Sequence, residues 1–557
     1  MIISVFLAFV AVVALSAGVS SSPIKRTSLD RVNPFVVDGN SGIAAMHIVL
    51  TEPNKIVIID KAQDEPVRYP DGTAVISLEY DLTDGSKRFL PLKTNTFCSA
   101  GGFLANGSLV HTGGAEDSGP YKTGFESLRI FNPCQDGKCE WYENPVGLTS
   151  KRWYPSVVSL SDGRLFILGG STQASGVNSE SINNPTFEFF PRTDPNPVPF
   201  QFLVDTLPYN LYPAMHLMPG PPGQTQLFIL ANRDSIIWDW SKNTIVKKLP
   251  QTPGPPRSYP LTGTSVMLPL DPADNYKPIV LVCGGNEKMD RTSPASDSCA
   301  RIDLSNLETA TWEVDNFGGM GRVMPDAVIL ADGRTLFLNG AGRGIAGYNS
   351  KDKKTGVVTQ LADEPVLAPV IYDFKKPLGQ RFATQPPSQI PRLYHSVATL
   401  IPDGRVFVTG SSPQINVVTN NTQFPTDFRV EYFSPSYITQ TKYPRPTITS
   451  VSGNKNLNKG AIKVKYDQDV TATLNLKAQT GVFTAALIHY GFVTHSTHMS
   501  QRYVICQVTN VKQSATNEFT MSVKMPPNPN MIAPGINYLY INNHGIPATT
   551  AIQVSIS

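Results

Sequence analysis

Residues 158–170, VSLSDGRLFILGG, determine how the chain folds. Two short apolar runs flank Asp162-Gly163, and two glycines follow the second run. Asp-Gly or Asn-Gly between apolar runs is a strong β-hairpin signal. The pattern recurs at residues 102–114 (GFLANGSLVHTGG), 328–340 (VILADGRTLFLNG) and 398–410 (ATLIPDGRVFVTG). The sequence is therefore built on a repeated hairpin.

Three weaker copies of the hairpin begin at Met46, Met215 and Ser265. The glycines that close the repeats are separated by 56, 115 (two repeats), 55 and 70 residues. A period near 50 with glycines closing a strand is typical of the kelch repeat of β-propellers. One blade cannot bury both faces of its sheet, so the seven copies predict an all-β, seven-bladed kelch-type propeller within residues 23–440.

The C-terminal residues 441–557 have a different sequence pattern. Thr, Val and Ile alternate there without the kelch turn, in segments such as AIKVKYDQDV and FTMSVKM. Strands and turns at this spacing predict an Ig-like β-sandwich.

The N-terminal residues 1–22 predict a secretory signal peptide, because an apolar run is followed by small residues. In an oxidising compartment, Cys134/Cys139 and Cys283/Cys299 are expected to form disulfides. Cys98 and Cys506 either form a disulfide with each other or do not pair, each then having its own role. Asn106 and Asn420 begin glycosylation sequons, which agrees with secretion.

Composition excludes several classes of protein. The 557 residues carry a net charge of +3 without a Lys/Arg run, which argues against nucleic-acid binding. Five Trp, 20 Tyr and 26 Phe exclude disorder for most of the chain. No segment after the signal approaches 18 uninterrupted apolar residues, so no membrane span is expected in the mature protein.

Four chemically active side chains occupy matched places in the repeat. Cys98 and Tyr154 each lie eight residues before the turn residue of their hairpin, and Tyr394 lies nine before Asp403, with His395 beside it. Met324 takes the same place in its blade. Equivalent positions of a propeller are related by rotation about its axis, so these side chains are predicted to meet at one end of the central channel.

A thiol, two phenols and an imidazole in one place suggest a metal site. Imidazole suits Cu or Zn, and mixed N,O ligation in a square arrangement favours Cu(II). The alternative is that the tyrosines pack between blades and that Cys98 is a buried thiol.

With these residues in place, the chain resembles the copper radical oxidases, the family of galactose oxidase and glyoxal oxidase. The resemblance covers essentially the whole mature chain. It implies one copper ion, with Tyr154 and Tyr394 as ligands and a thioether between Cys98 and the radical-bearing Tyr154. The pair Tyr394-His395 fits the family's Tyr-His motif and makes His395 a further ligand.

The resemblance also implies that the C-terminal domain donates a histidine to copper. The segment Thr494–Arg502, THSTHMSQR, offers two candidates, and the family pattern selects His495 directly after Thr494. His498 is expected in the surroundings of the site or at the surface, and His489 in a strand. The remaining candidates, His216 and His544, have no motif support as ligands.

The resemblance favours the glyoxal oxidase branch. Galactose-oxidising relatives carry a tryptophan where this chain has Thr172, whereas NLYP at residues 210–213 resembles the glyoxal oxidases. The resemblance implies a secreted enzyme that oxidises small aldehydes (glyoxal or methylglyoxal, as hydrates) to carboxylic acids and reduces O2 to hydrogen peroxide. Tyr394 would be the general base and the Tyr154 radical the hydrogen-atom acceptor.

Two other functions compete with this interpretation. One is a copper radical oxidase of primary alcohols or sugars; the other is a non-catalytic kelch propeller that binds glycans or proteins.

No flavin or dinucleotide is expected, because no strand–GxGxxG–helix unit occurs. The expected partners are the aldehyde, O2 and extracellular peroxidases that use the peroxide, and the protein is expected to be a monomer.

Overall fold

Short antiparallel strands make up nearly all regular structure in the computed structural model of the protein, which describes residues 33–351, 356, 358–440, 442–457, 459–477 and 481–557. The signal peptide predicted at residues 1–22 lies outside these residues. Helices in the described part are single turns, at Glu180–Ile182, Phe202–Asp205, Pro272–Asp274 and Ser436–Thr439. None of these helices has the length or hydropathy needed to cross a bilayer.

Seven antiparallel blades confirm the predicted propeller. Blade 1 consists of His47–Glu52, Lys55–Ile59, Ser77–Asp81 and Lys87–Phe89, and blade 2 of Ala100–Phe103, Leu109–Thr112, Leu128–Phe131 and Trp141–Asn144. Blade 3 consists of Ser156–Ser159, Leu165–Leu168, Thr186–Phe190 and Val198–Pro199, and blade 4 of Ala214–Leu217, Gln226–Ala231, Asp234–Asp239 and Thr244–Lys248. Blade 5 consists of Thr264–Met267, Ile279–Cys283, Ser298–Asp303 and Trp312–Asn316, and blade 6 of Asp326–Ile329, Thr335–Leu338, Val370–Tyr372 and Phe382–Thr384. Blade 7 consists of Val397–Leu400, Val406–Thr409, Arg429–Phe433 and the N-terminal Phe35–Asn40. Blade 6 carries an insertion of two small ribbons, Ala341–Gly344 with Ala362–Pro365 and Ser350–Lys351 with Val358–Thr359.

The predicted hairpin joins the first two strands of blade 3. Ser159 pairs with Leu165, and Gly163 closes the turn by donating from its N–H to the carbonyl of Leu160 at 3.0 Å. Gly163 has φ +84°, a backbone conformation that only glycine adopts without strain. Every residue of Leu165–Leu168 is buried, because neighbouring blades cover both faces of the strand.

The first described strand closes the propeller ring. Phe35–Asn40 pairs with Arg429–Phe433, so blade 7 contains strands from both ends of the propeller. Residues 34–557 form one compact unit, which includes the C-terminal domain.

The C-terminal domain is the predicted sandwich, made from one continuous sheet. Its strands are Thr447–Val451, Ile462–Val464, Asp469–Asn475, Phe483–His489, Arg502–Ala515, Glu518–Lys524, Gly535–Asn543, Ile546–Pro547 and Ile552–Ile556. The long strand Arg502–Ala515 pairs with Phe483–His489 through its first residues and with Glu518–Lys524 through its last. The two halves of the sheet share one apolar core, which includes Val470 and Leu539.

A hairpin from this domain enters the propeller. Its strands are Phe492–Thr494 and Thr497–Met499, and the first pairs with the inner strand of blade 1 through His47 and Ile48. Between them, the two strands contact the inner strands of all seven blades. The hairpin therefore lies on the propeller axis.

The two predicted disulfides are present. Cys134 bonds to Cys139, and Cys283 bonds to Cys299, its partner in the strand register of blade 5. Cys98 and Cys506 are buried free thiols, so they do not pair with each other.

Candidate metal centre

The residue two positions before the inner strand has a left-handed backbone in five blades. These residues are Cys98, Tyr154, Tyr212, Met324 and His395, with φ between 49° and 62°. Non-glycine residues adopt this conformation rarely, and such residues cluster at functional sites. Neighbouring blades are also linked here, since the N–H of Tyr154 donates to the carbonyl of Cys98 at 2.8 Å. The predicted ring of equivalent positions therefore exists.

His395, and not Tyr394, is the residue in register with Cys98 and Tyr154. His395 lies eight residues before Asp403, which is the spacing found in blades 2 and 3. Tyr394 corresponds to Trp153, one position earlier. Consecutive side chains normally point apart in extended chain, but the left-handed backbone at His395 turns the two rings together. They stack with centroids 3.8 Å apart.

His495 reaches the same place from the C-terminal hairpin, where it forms the turn between the two axial strands. The Thr494 hydroxyl donates to the carbonyl of Met46 and lies 2.6 Å from Nδ1 of His495. Since a hydroxyl has one proton, it must accept from Nδ1–H of the imidazole. Nε2 of His495 therefore carries a free lone pair.

The structure brings all five predicted side chains together. Nε2 of His395 and Nε2 of His495 are 2.9 Å apart, and the Tyr154 and Tyr394 hydroxyls are also 2.9 Å apart. Nε2 of His495 lies 3.4 Å from the Tyr394 hydroxyl and 3.4 Å from the Cys98 sulfur. Two nitrogens, two oxygens and one sulfur thus converge, although blades 2, 3 and 7 and the C-terminal domain supply them.

Burial controls the protonation of this cluster. Each of the five residues is at most 5% exposed. Burial raises the pKa of the Tyr154 and Tyr394 phenols well above the usual value. It also holds the pKa of His395 well below the usual value, and that of His495 likewise. The imidazoles are therefore neutral and able to bind a metal, whereas the phenols ionise only if a cation offsets their charge.

The donor set fits copper. Two imidazole nitrogens and two phenol oxygens match the mixed N,O ligation that Cu(II) prefers, and neutral imidazole is a good ligand for it. Nδ1 of His395 is buried without a hydrogen-bond partner. This atom could take the proton of His395 when Nε2 binds a metal.

Aromatic residues that the sequence analysis did not single out surround Tyr154. Tyr259 stacks on the Tyr154 ring at 4.3 Å and 25°, Trp153 lies at 4.3 Å, and Tyr212 meets the ring edge-on at 5.0 Å. Position 172 carries a threonine, and Tyr259 provides the ring that stacks on the Tyr154 phenol. A Tyr-Pro pair marks all three tyrosines, at Tyr154, Tyr212 and Tyr259, and was the available signal.

The other four histidines considered in the sequence lie outside the cluster. Nε2 of His498 is 3.2 Å from the buried Asp326 carboxylate, so His498 is an interior residue of the channel. His489 contacts the carbonyl of Ile536 at the end of its strand, and His216 contacts the Ser265 hydroxyl. The exposed His544 stacks on Tyr443.

Comparison with known proteins identifies the family of the chain. The family described as "Glyoxal oxidase N-terminus" matches residues 46–437, and "Galactose oxidase-like, Early set domain" matches residues 445–556. The chain is 32% identical to aldehyde oxidase GLOX of Vitis pseudoreticulata, over 91% of this chain and 94% of the relative. It is 31% identical to aldehyde oxidase GLOX1 of Arabidopsis thaliana, over 91% of this chain and 82% of the relative.

A solved structure supports the fold. A fungal alcohol oxidase of the AA5 family in complex with copper superposes with a TM-score of 0.64 and 17% identity, covering 94% of this chain and 99% of that one. With a family match over most of the chain and a relative above 30% identity, the resemblance seen in the sequence is confirmed. The chain belongs to the glyoxal oxidase family of copper radical oxidases.

Proposed function

We propose that the protein oxidises small aldehydes, taken as their hydrates, to carboxylic acids and reduces dioxygen to hydrogen peroxide. The net reaction, RCH(OH)2 + O2 → RCOOH + H2O2, moves two electrons and two protons from substrate to oxygen. The convergence of two imidazole nitrogens and two phenol oxygens in one buried place carries this proposal. The relatives named aldehyde oxidases support the substrate class.

The proposed copper ligands are Tyr154, Tyr394, His395 and His495. Bound copper supplies a one-electron redox couple and the positive charge that favours the phenolate forms. The protein prepares the site for it. Burial keeps both imidazoles neutral, and the Thr494 hydroxyl orients Nε2 of His495 towards the other donors.

The two tyrosines have different proposed roles. Tyr394 is the proposed general base, because its phenol is buried in the cluster with its hydroxyl 2.9 Å from that of Tyr154. Tyr394 accepts the proton of the hydrate hydroxyl. Tyr154, as a radical, accepts the hydrogen atom from the substrate carbon, and Tyr259 and Trp153 shield its ring from water.

We further propose a thioether between Cys98 and Tyr154. The two side chains interact, and neither is more than 1% exposed. Formation joins Sγ to a ring carbon, with loss of the thiol hydrogen and one ring hydrogen. Dioxygen accepts these two electrons and two protons and leaves as hydrogen peroxide.

A substrate panel separates aldehyde oxidation from its nearest rival, oxidation of primary alcohols or sugars. The copper-loaded protein is incubated with glyoxal, methylglyoxal, a primary aliphatic alcohol, an aryl alcohol and galactose, and peroxide is measured. We expect the highest kcat/KM for the two aldehydes. Faster alcohol turnover would reassign the substrate class but keep the enzyme class. No turnover of any compound by copper-loaded protein would favour a non-catalytic binding propeller.

The domain organisation and location are part of the proposal. We assign residues 1–22 to a signal peptide, 23–440 to the catalytic propeller and 441–557 to the domain that donates His495. The two disulfides and the exposed sequon residues Asn106 and Asn420 support a secreted, glycosylated protein. Mass spectrometry of protein recovered from culture medium tests both features. Extracellular peroxidases are the proposed users of the peroxide, and the protein is proposed to act as a monomer.

A further inference from the structure

Arg502 is a buried arginine at the junction between the axial hairpin and the C-terminal domain. It begins the strand Arg502–Ala515 and is 5% exposed. Its guanidinium donates a hydrogen bond to the carbonyl of Leu217 in blade 4 and reaches the sulfur of Met267 in blade 5. Among the described residues, no carboxylate lies at ion-pair distance from it. Burial lowers the pKa of Arg502 to about 9, so the guanidinium is still charged at neutral pH.

Three other buried arginines of this protein have more oxygen acceptors. Arg152 and Arg392 each pair with a buried glutamate, at 2.8 Å and 2.9 Å. Arg322 has no carboxylate partner but donates to two carbonyl oxygens. Arg502 donates to one carbonyl oxygen and to a sulfur, which is a weak acceptor, so three of its five N–H donors have no acceptor among the described residues. A buried charge in this state is costly unless it has a ligand.

Arg502 borders a cavity of about 20 Å³ between blades 3 and 4 and the C-terminal domain. The described part of the chain contributes no acidic side chain to the lining. A volume of this size holds about one water molecule or one monatomic ion, and excludes larger oxyanions such as sulfate. The other polar residues of the lining are Ser159, His216, His489, Ser500 and Gln501.

The Ser500 hydroxyl provides a second donor at this cavity. Its oxygen accepts the N–H of Ser159 at 2.9 Å, and its own proton has no acceptor among the described residues. The side-chain amide of Gln501 is occupied, because the backbone of blade 6 binds both its oxygen and its nitrogen. Arg502 and Ser500 are therefore the side chains with protons left to donate.

The two histidines of the lining bring no counter-charge. Burial, together with the charge of Arg502, lowers the pKa of His216 to about 3 and also lowers that of His489. Nδ1 of His489 donates to the carbonyl of Ile536 at 3.0 Å, so its buried Nε2, which has no partner, carries a lone pair. An anion beside Arg502 would offset the charge that disfavours protonation of this atom, and Nε2–H would then be a further donor.

We propose that this cavity binds one chloride ion, held by the guanidinium of Arg502 and the hydroxyl of Ser500. Charge-assisted hydrogen bonds from a buried arginine suit an anion, and the ion supplies the counter-charge that the lining lacks. The segment from Ser500 to Arg502 joins the axial strand Thr497–Met499 to the C-terminal domain. Chloride therefore stabilises the junction that holds the axial hairpin in the channel. This structural site does not depend on the proposed oxidation.

Anomalous diffraction detects the ion directly in wild type. Copper-free protein is used, so that a halide cannot bind the metal. Crystals grown without chloride are soaked in millimolar sodium bromide and measured at the bromine absorption edge. We expect an anomalous peak within hydrogen-bond distance of the Arg502 guanidinium and the Ser500 hydroxyl. A water molecule in the cavity without an anomalous peak would overturn the inference.

Thermal unfolding of the copper-free protein measures the contribution to stability. Chloride is varied at constant ionic strength against gluconate, which is too large for the cavity. A ligand that binds only the folded protein lowers the unfolding equilibrium constant about 100-fold at 100 times its Kd. For a chain of this size, we expect the Tm of wild type to rise by about 2 °C.

Arg502→Met removes the positive charge and should abolish this rise. Arg322→Met is the matched control, because it deletes another buried arginine without a carboxylate partner and should keep the rise even if it lowers the Tm itself. An equal chloride-dependent rise in wild type and Arg502→Met would assign the effect to other sites and contradict the proposal. If Arg502→Met does not fold, the bromide experiment on wild type decides between chloride and water.

Discussion

Nε2 of His395 lies 2.9 Å from Nε2 of His495, although 100 residues separate the two histidines. Nε2 of His495 carries a lone pair, because its Nδ1 donates to Thr494. Two lone pairs facing each other at this distance would repel, so a proton or a cation must lie between them. In the copper-free protein, a proton on Nε2 of His395 satisfies this condition. Metal binding by both nitrogens requires that proton to leave.

Replacing His495 is expected to remove copper. His495→Ala deletes one nitrogen donor at the centre of the cluster, so copper per chain after dialysis should fall far below one, with peroxide formation lost. Metal analysis and the peroxide assay measure the two effects. The exposed His544 provides the matched control, His544→Ala, which should keep both. Full copper retention in His495→Ala would remove the axial hairpin from the ligand set.

Replacing Cys98 is expected to separate copper binding from catalysis. Peptide mapping of wild type treated with copper and oxygen should join the peptides containing Cys98 and Tyr154, with loss of two hydrogens. Cys98→Ser cannot form this bond but keeps the four N,O donors. We expect it to bind copper and to lose about 100-fold or more in kcat/KM, or about 2.7 kcal/mol of transition-state stabilisation. Cys506→Ser, at the other buried free thiol, should retain the cross-link. Separate Cys98 and Tyr154 peptides in active wild type would exclude a required thioether.

Sequence reasoning predicted the propeller because the repeat carries its own turn signal. The Asp162-Gly163 turn and the buried strand after it define a blade, and rotation relates one blade to the next. The same symmetry located Cys98 and Tyr154, since they hold equal places before their strands. The symmetry placed Tyr394 one residue away from the position that Cys98 and Tyr154 occupy in their blades. Spacing alone does not reveal that His395, which has the left-handed backbone, is the equivalent residue.

The surroundings of the site were harder to predict, because they come from contacts between distant segments. Tyr348 belongs to the blade 6 insertion, and Lys61 follows a strand of blade 1, yet Nζ lies 4.3 Å from the Tyr348 ring. No repeat relates these two positions. His498 also depended on tertiary structure, since its buried partner Asp326 begins the inner strand of blade 6.

The hydroxyl of Thr494 is expected to set the affinity for copper without contacting the metal. The Thr494 hydroxyl oxygen lies 2.6 Å from Nδ1 of His495 and accepts its N–H, which fixes the tautomer and orientation of the imidazole ring. Partners of this kind contribute about 10–100-fold to metal affinity. Thr494→Val keeps the shape and removes the acceptor, so the Kd for copper should rise by that factor. Competition with a chelator measures it. Thr494→Ser, which keeps the hydroxyl, should bind nearly as wild type, and equal Kd values for Val and Thr would show that the hydroxyl does not act on the ligand.

Buried histidines should make the copper-free protein lose stability as the pH falls. Burial lowers the pKa of His216 from 6.5 to about 3. Between these values the unfolded chain binds a proton at His216 and the folded chain does not, so the free energy of unfolding falls as pH decreases. One such group contributes at most about 1.4 kcal/mol per pH unit. The raised pKa values of the buried acids Asp60, Glu65 and Asp326 act with the opposite sign, so wild type alone does not isolate the effect.

The difference between wild type and His216→Gln isolates it. The variant keeps a polar group that can reach the Ser265 hydroxyl, the partner of His216 at 2.8 Å, but cannot titrate. Urea denaturation of both copper-free proteins between pH 6 and pH 4.5 should give a steeper loss of stability for wild type, by about 1.4 kcal/mol per pH unit. Parallel slopes would mean that His216 takes up its proton in the folded protein over this pH range, so that its pKa is not lowered by burial.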